Sequence, residues 1–408
     1  MKILVVLPRF PYPLDKGDKL RAYHQMVELA KRHEVYLFAL SHSRVNHDDY
    51  DHLHTICTAV DYCEVRWWES AWGVLRAFIS GQPLQVGYWS SRRAQKAYAR
   101  WEAQVQPDVV YCQMVRTMPT VTGSTCRKVL DYQDALSLNA RRRKEQSHGL
   151  MRLLLQYEAK ALQRTEQQAL QLFDATTVIA PADRDAISPE VHLVPNGVDT
   201  EYFKVGSWQL AVDCGQGAVG SDANNPRPTA HYPQLNKYTI VFTGNMSYAP
   251  NVDAACWLVK EIMPLVWKQQ PHGINVLIAG ADPKPAVRAL AGPHVAVSGR
   301  LPDIREAYAS ARIFVAPMRI GSGMQNKLLE AMSMGLPCVT TSLAANPIGA
   351  TPWEHLLVGD SAEEIAERIL LLTIDELHDT VAESGHRFVM EHYSWTAAVH
   401  PLEEILES

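Results

Sequence analysis

Short, near-continuous apolar runs alternate with amphipathic stretches along this chain, and the rhythm breaks once, at residues 205–236. Strands that are apolar on both faces belong to parallel sheets covered by helices on each side, so the alternation restricts the fold to doubly wound α/β. In the first half the strand candidates are 2–7 (KILVVL), 34–40, 64–68, 108–112, 128–132, 175–180 and 192–196, with helices at 19–32, near 70–80 and 90–105, and across 136–172. Residues 205–236 are rich in Gly, Asn and Pro, hold no sustained period and read as a linker. The alternation then restarts. Strands are expected at 239–245, 275–281, 294–299, 313–318 and 337–341, and helices at 252–270, 286–291, 303–311, 326–334 and 361–373. The expectation is two tandem Rossmann-like domains, 1–204 and 237–374, followed by C-terminal helices at 375–408. Strand C-termini build the ligand sites of such domains, and the cleft between them is the default active site.

Composition narrows the class. At 408 residues, two or three domains are expected; 47% hydrophobic and 20% charged residues exclude wholesale disorder. The net charge of −5 argues against a dedicated nucleic-acid binder. Residues 1–204 carry 26 basic and 23 acidic side chains and the remainder 13 and 21, a sign difference that suits two domains with different partners, or chance plus an acidic tail. The seven cysteines are scattered and odd in number, with no C-x-x-C pair, and read as reduced thiols of a cytosolic protein. The opening apolar run of five residues before Pro8 is too short for a signal-peptide core and suits a buried strand. No stretch reads as a transmembrane helix, so any membrane contact is peripheral. None of the 16 histidines stands at metal-ligand spacing, and neither a metal nor a cofactor is expected.

The segment APMRIGSGMQNKLLEAMSMGLPCVTTS (316–342) carries the chemistry. A strand ends near Met318; Arg319, Gly321, Ser322 and Gly323 follow; Asn326, Lys327 and Glu330 lie on an opening helix. Glycines allow close backbone approach, a helix N-terminus suits phosphate, and Arg319 and Lys327 add full charges, so the site fits a diphosphate. Glu330 shares a face with Lys327 at i, i+3 and can accept hydrogen bonds from ribose. The competing reading is a glycine turn followed by a helix-stabilising Lys–Glu pair.

This segment resembles the donor site of the retaining glycosyltransferases of family 4, whose pattern ends in L-E-A-M-x-x-G-x-P; here it stands as Leu329, Glu330, Ala331, Met332, Gly335 and Pro337. More narrowly, RFPYP-x-x-KGDK-x-R (Arg9 to Arg21), PNVDA (Pro250 to Ala254) and G-x-Q-N-K-x-LEAM (Gly323 to Met332) are similar to bacterial exopolysaccharide-associated sugar transferases; PNGVD (195–199) is a further family marker. The resemblance implies the B-type fold (GT-B), with donor in the second domain and acceptor in the first. The chain departs from the pattern in two places. Of the two glutamates eight apart found in most relatives, only Glu330 is present, with Ser322 in the first position. Where relatives carry Arg and Lys after the first strand of the second domain, Gly244 is followed by Asn245, Met246 and Ser247.

In the first domain, the loop PRFPYPLDKGDKLRAYH offers Lys16, Gly17, Asp18 and Arg21. The resemblance places Gly17 against the diphosphate and Lys16, Asp18 and Arg21 at the acceptor, whereas Asp18 would otherwise be an ordinary helix N-cap. DYQDALS (131–137) ends a strand where many relatives place a His. Asp131 is assigned to the acceptor; Asp134 either acts as a base or caps the next helix. The basic, leucine-rich 141–160 stretch either lies on anionic lipid at the inner membrane face or is a core helix with a solvated face.

The function these features imply is transfer of a sugar from a nucleotide-diphosphate sugar to a glycan or polyprenyl-linked acceptor in exopolysaccharide synthesis, with retention. Alternatives are a sugar-nucleotide epimerase and a non-catalytic binding subunit. The apolar stripe through 388–406 needs a surface to bury it, and residues 394–406 are expected to cross back onto the first domain and, with the 205–236 linker, to form the hinge for cleft closure.

Overall fold

The apolar runs pair exclusively in parallel among the described residues, 1–145, 147–204, 237–320 and 324–408 of the computed structural model. The expected linker at 205–236 and the three residues Gly321, Ser322 and Gly323 therefore lie outside the described residues. The chain divides into two units, Met1–Gly197 with Ala398–Ser408, and Val198–Ala397.

In the first unit seven strands are ordered β3-β2-β1-β4-β5-β6-β7: β1 Lys2–Leu7, β2 Glu34–Ser41, β3 Ala59–Glu64, β4 Val109–Gln113, β5 Arg127–Asp131, β6 Ala175–Val178 and β7 His192–Leu193. β1 is buried from Ile3 through Leu7 because neighbours β2 and β4 flank it and helices cover both faces. In the second unit six strands are ordered β10-β9-β8-β11-β12-β13: β8 Tyr238–Thr243, β9 Val276–Ala279, β10 Val295–Gly299, β11 Ala311–Ala316, β12 Cys338–Thr340 and β13 Leu357–Val358. Chain order reverses between β1 and β4 in one sheet and between β8 and β11 in the other. Each reversal is a topological switch point where adjacent strand ends leave a crevice for a ligand.

Several local expectations change. Residues 64–68 are not a strand; β3 ends at Glu64 and Trp67–Ser80 is a helix, whose first turn is stabilised by Glu69 accepting from the Arg66 amide at 3.0 Å. The aromatic run WW read as strand because β-propensity and helix-surface aromatics look alike over five residues. The stretch 136–172 is two helices, Leu136–Glu145 and Gly149–Leu172, separated where Gly149 takes φ +57°. Asp18 is not the N-cap of helix Gly17–Leu29; Lys16 occupies that position, and Asp18 sits in the first turn.

The final helix is Trp395–Glu407. Within the first unit, Arg127 donates to the carbonyls of Leu406 (2.8 Å) and Ile405 (2.7 Å), satisfying the open end of that helix. Glu403 accepts from Arg32 at 2.9 Å and meets His33 Nε2 at 3.0 Å. With Glu407, His33 and Glu403 form the one cluster of three possible metal ligands among the described residues, which spacing along the sequence could not reveal. The Arg32 guanidinium already supplies a cation to Glu403.

Candidate donor and acceptor sites

The second unit gathers its polar side chains at the β8/β11 switch point. Beyond β8, Gly244 adopts φ +156°, and a Cβ there would stand 2.6 Å from Asn251 Nδ2. Gly280, after β9, approaches closer still: its Cβ would lie 1.7 Å from the Gly244 carbonyl oxygen. Two glycines thus let two strand ends and the start of helix Ala249–Trp257 close on one point.

Asn251, in that helix and buried, organises the site. Its Nδ2 donates to the Asn245 carbonyl at 3.0 Å and its Oδ1 accepts from Lys327 Nζ at 2.6 Å. Asn245 turns its own Oδ1 back onto the Ser247 amide (2.9 Å) and hydroxyl (2.7 Å). Asn251 was not singled out from the sequence as a site residue; the PNVDA segment was the available signal.

Helix Asn326–Ser333 opens at Gln325 without a side-chain cap, two residues beyond 321–323. Its first amides suit an anion. Asn326 Oδ1 is buried and has no partner among the described residues. Lys327 lies over the Phe242 ring, Nζ 4.9 Å from its centroid, and burial lowers its pKa to about 8, with Glu330 opposing. Glu330 accepts from Tyr308 Oη at 2.6 Å, and Tyr308 in turn meets Thr243 Oγ1 at 2.9 Å. Burial raises the Glu330 carboxyl, against the Tyr308 hydrogen bond and the Lys327 charge. Arg319 is engaged differently from expectation. It forms a two-pronged pair with Asp253 (3.1 and 2.8 Å) and lies over the Trp257 ring at 4.6 Å. Asp253 neutralises much of its charge, leaving Lys327 as the cation facing Asn251 and Glu330. Asp253, inside the same PNVDA segment, and Tyr308 are further residues that the sequence did not assign to the site.

In the first unit a small depression at the β1/β4 switch point is lined by Leu7, Pro8, Arg9, Asp18, Lys19, Ala22, Gln113 and Gln133. Asp18 pairs with Arg9 at 2.6 Å. Lys16 and Gly17 are exposed at the start of helix Gly17–Leu29. Met114 and Gln133, at the ends of β4 and β5, both hold φ +63°, the left-handed region that non-glycine residues rarely adopt and that clusters at functional sites. Arg116 also lies here, unpredicted; it donates to Gln85 Oε1, and burial together with nearby Arg9 lowers its pKa.

Arg21 and Asp131 are not available to an acceptor. Both are fully buried and joined at 2.7 Å. Arg21 also donates to the carbonyls of Val194 and Pro195 and to Asn196 Oδ1, each at 2.9 Å; Asp131 further accepts from Tyr111 Oη, Thr177 Oγ1 and the Gln133 amide, each at 3.1 Å. Their role is to fasten helix Gly17–Leu29, β5, β6 and the PNG turn together. Nor does Asp134 fill the capping role: the Ala135 amide donates to Asp183 (3.2 Å) and the Ser137 amide to Glu166 (2.9 Å). Asp134 keeps solvent contact, yet crowding by protein, by Asp183 and by Asp131 raises its pKa to about 6.

Residues 237–375 match the family described as "Glycosyl transferases group 1". An uncharacterised 44.6 kDa protein from the cps region of Klebsiella pneumoniae is 22% identical over 96% of this chain and 96% of its own length. The phosphatidyl-myo-inositol mannosyltransferase of Mycobacterium leprae is 27% identical over 49% of this chain and 56% of its own. Among solved structures, sucrose-phosphate synthase from Thermosynechococcus elongatus superposes with TM-score 0.63 at 14% identity, covering 100% of this chain and 98% of that one. HepE of Anabaena, solved in complex with UDP, gives 0.64 at 14%, covering both chains fully. The fold is therefore of the GT-B type, two Rossmann-like domains, and the residues that match the group 1 glycosyltransferase model, 237–375, all lie in the second unit.

Proposed function

We propose that this glycosyltransferase takes a nucleoside-diphosphate sugar in its second unit and passes the sugar, with retention, to a glycan or polyprenyl-linked acceptor held by the first unit. The observation that carries this reading is the Gly244–Asn251–Lys327–Glu330 constellation at the β8/β11 switch point of a group 1 glycosyltransferase domain. Lys327 and the uncapped helix start are charge-complementary to a diphosphate, and stabilising that leaving group is the main electrostatic task of the reaction. Glu330, with its free lone pairs and its orientation fixed by Tyr308, suits ribose hydroxyls. The loop 321–323, which the sequence assigns to the donor, precedes this helix. Arg319 contributes orientation through Asp253 more than net charge.

Asp134, with a carboxyl raised to about 6 and no capping duty, is the base that receives the acceptor hydroxyl proton. Lys16 and Asp18, in the loop assigned to the acceptor from the sequence, would complete the acceptor site. UDP bound to HepE supports a uridine donor, and the cps-region relative supports a surface-polysaccharide role. No divalent ion is required in this scheme, and turnover is expected to persist in EDTA; full loss restored by one divalent ion would refute it.

Two substitutions test the reading together. Glu330→Gln weakens binding of a nucleoside diphosphate by calorimetry but leaves inorganic diphosphate unaffected. Asp134→Asn retains nucleotide affinity and loses transfer. Equal weakening of both ligands would make Glu330 structural, and full turnover in Asp134→Asn would remove the base. Product analysis without acceptor separates transfer from epimerisation.

A further inference from the structure

Helix Trp67–Ser80 in the first unit is inside out. The residues it buries are small, Ser70, Gly73 and Ala77, while Trp67, Trp68, Trp72, Leu75, Phe78 and Ile79 are exposed, Trp67 and Ile79 at 77% and Trp72 at 70%. The small face is needed for a close helix crossing: a Cβ on Gly73 would lie 2.0 Å from the Gly87 carbonyl oxygen in helix Leu84–Trp89. At 3.6 residues per turn the six large side chains fall within an arc of roughly 140°, with Arg76 just beyond one margin. Such a contiguous exposed apolar face marks an interaction surface.

The face continues onto the next element. Leu150, Leu154 and Tyr157 stand at i, i+4 and i+7 of helix Gly149–Leu172, and Leu150 is 82% exposed. Tyr157 stacks obliquely on Phe78 at 5.7 Å and donates to the Gln82 carbonyl at 2.9 Å, joining the two helices. Arg66 and Arg76 border this face on the first helix, Arg66 over the Trp68 ring at 5.1 Å and Arg76 donating to Ser90 Oγ at 3.1 Å, and Arg143 and Arg152 add charge on helices Leu136–Glu145 and Gly149–Leu172; all four are exposed and none is in an ion pair among the described residues. Tryptophan-rich apolar surface beside exposed arginines that no carboxylate neutralises is complementary to the headgroup boundary of an anionic bilayer, where indoles settle and basic side chains meet lipid phosphate. No helix among the described residues is long and apolar enough to cross a membrane, so the surface would lie on it.

We propose that helix Trp67–Ser80, with the start of helix Gly149–Leu172, inserts into the interface of an anionic lipid bilayer, the exposed arginines supplying the charge selectivity. This names the residues of the peripheral contact that the 141–160 stretch suggested and rests on that membrane reading, but it does not depend on the donor assignment.

The test is flotation of the full chain with vesicles of phosphatidylcholine alone or with about one third phosphatidylglycerol. The protein floats with the anionic vesicles, salt weakens the association, and zwitterionic vesicles retain little. Trp72→Ser with Ile79→Ser lowers partitioning at least about tenfold, the scale of removing two inserted side chains. Arg143→Glu with Arg152→Glu lowers it too and flattens the salt dependence. Because all four positions are exposed, thermal stability and nucleoside diphosphate affinity stay unchanged, which separates failure here from failure of the donor site. Unchanged partitioning of the Trp72/Ile79 variant, or no association of the parent chain with any vesicle, overturns the proposal. So does a parent dimer that this variant converts to monomer without vesicle binding, since the face would then be a contact between copies.

Discussion

Lys327 holds a proton at a cost. Burial against Phe242 lowers its pKa to about 8 from the ordinary 10.5, so just above neutrality part of the free protein has lost the charge a diphosphate needs. A bound diphosphate reverses the balance and draws the proton back. Nucleoside diphosphate affinity is therefore expected to fall as pH rises through about 8, with proton uptake on binding visible as a buffer-dependent calorimetric enthalpy. Lys327→Arg, which stays charged, holds its affinity to higher pH; the same fall in that variant would assign the titration elsewhere. The sign for stability is opposite: between pH 8 and 10.5 the unfolded chain binds the proton more tightly, so this group makes the free protein more stable as pH rises across that window. Lys327 and Glu330 were legible in the sequence because both lie on one short helix. Asn251, Tyr308 and Asp253 were not, because they reach the site from other elements and only the folded sheet brings them there. The same limit misassigned Arg21 and Asp131. A charged residue on a glycine- and proline-rich loop looks like a ligand contact, and nothing in one dimension shows that the partner of Arg21 lies 110 residues away.

At the scale of elements, that buried pair is what sets the first unit's strand ends in place. Arg21 occupies all three of its nitrogens, and Asp131 takes four donors, so removing one partner leaves the other charged and dry. Asp131→Ala is expected to cost about 3–5 kcal/mol, well beyond an exposed ion pair. Denaturant unfolding followed by hydrogen exchange over 1–197 measures it; a loss below about 1 kcal/mol would mean that water reaches Arg21 and the site is not closed. The strands themselves were readable, since period and apolarity locate β1, β2, β4, β8 and β11 within a residue or two. What escaped were the short pieces whose identity depends on neighbours: the two-residue β13, the first turn of the helix expected near 70–80, which begins at Trp67, and the break at Gly149. For residues 67 and 68 the pattern was misleading for a physical reason, because the large apolar residues of this helix face outward and only its small ones are covered.

For the whole molecule, the rhythm of strands and helices with its single break at 205–236 was enough to show two Rossmann-like units, but not that the chain's last residues complete the first. Ala398, Val399, Leu402 and Leu406 are all buried, and the segment is tied down by Arg127, Arg32 and His33, which come from the strand and helix ends of the first unit. An apolar stripe at helical spacing was visible; which surface covers it was suggested only by resemblance. The arrangement makes the first unit discontinuous in sequence, so its stability depends on residues 398–408, some 200 positions beyond Gly197. Leu402→Ala removes a fully buried side chain and is expected to cost about 2–5 kcal/mol. For a unit of this size that lowers the melting temperature by roughly 4–20 °C, at about 2–4 °C per kcal/mol. Ending the chain at Ala397 removes the other three buried residues and the Arg127 cap as well, and the first unit then unfolds at lower temperature still. Hydrogen exchange should place the new instability in 1–197 while peptides of 238–392 keep their protection, and nucleoside diphosphate should still bind, because no donor-site residue is touched. If the shortened chain keeps the parent's melting temperature and exchange pattern, residues 398–408 are an appendage rather than part of the first unit's core.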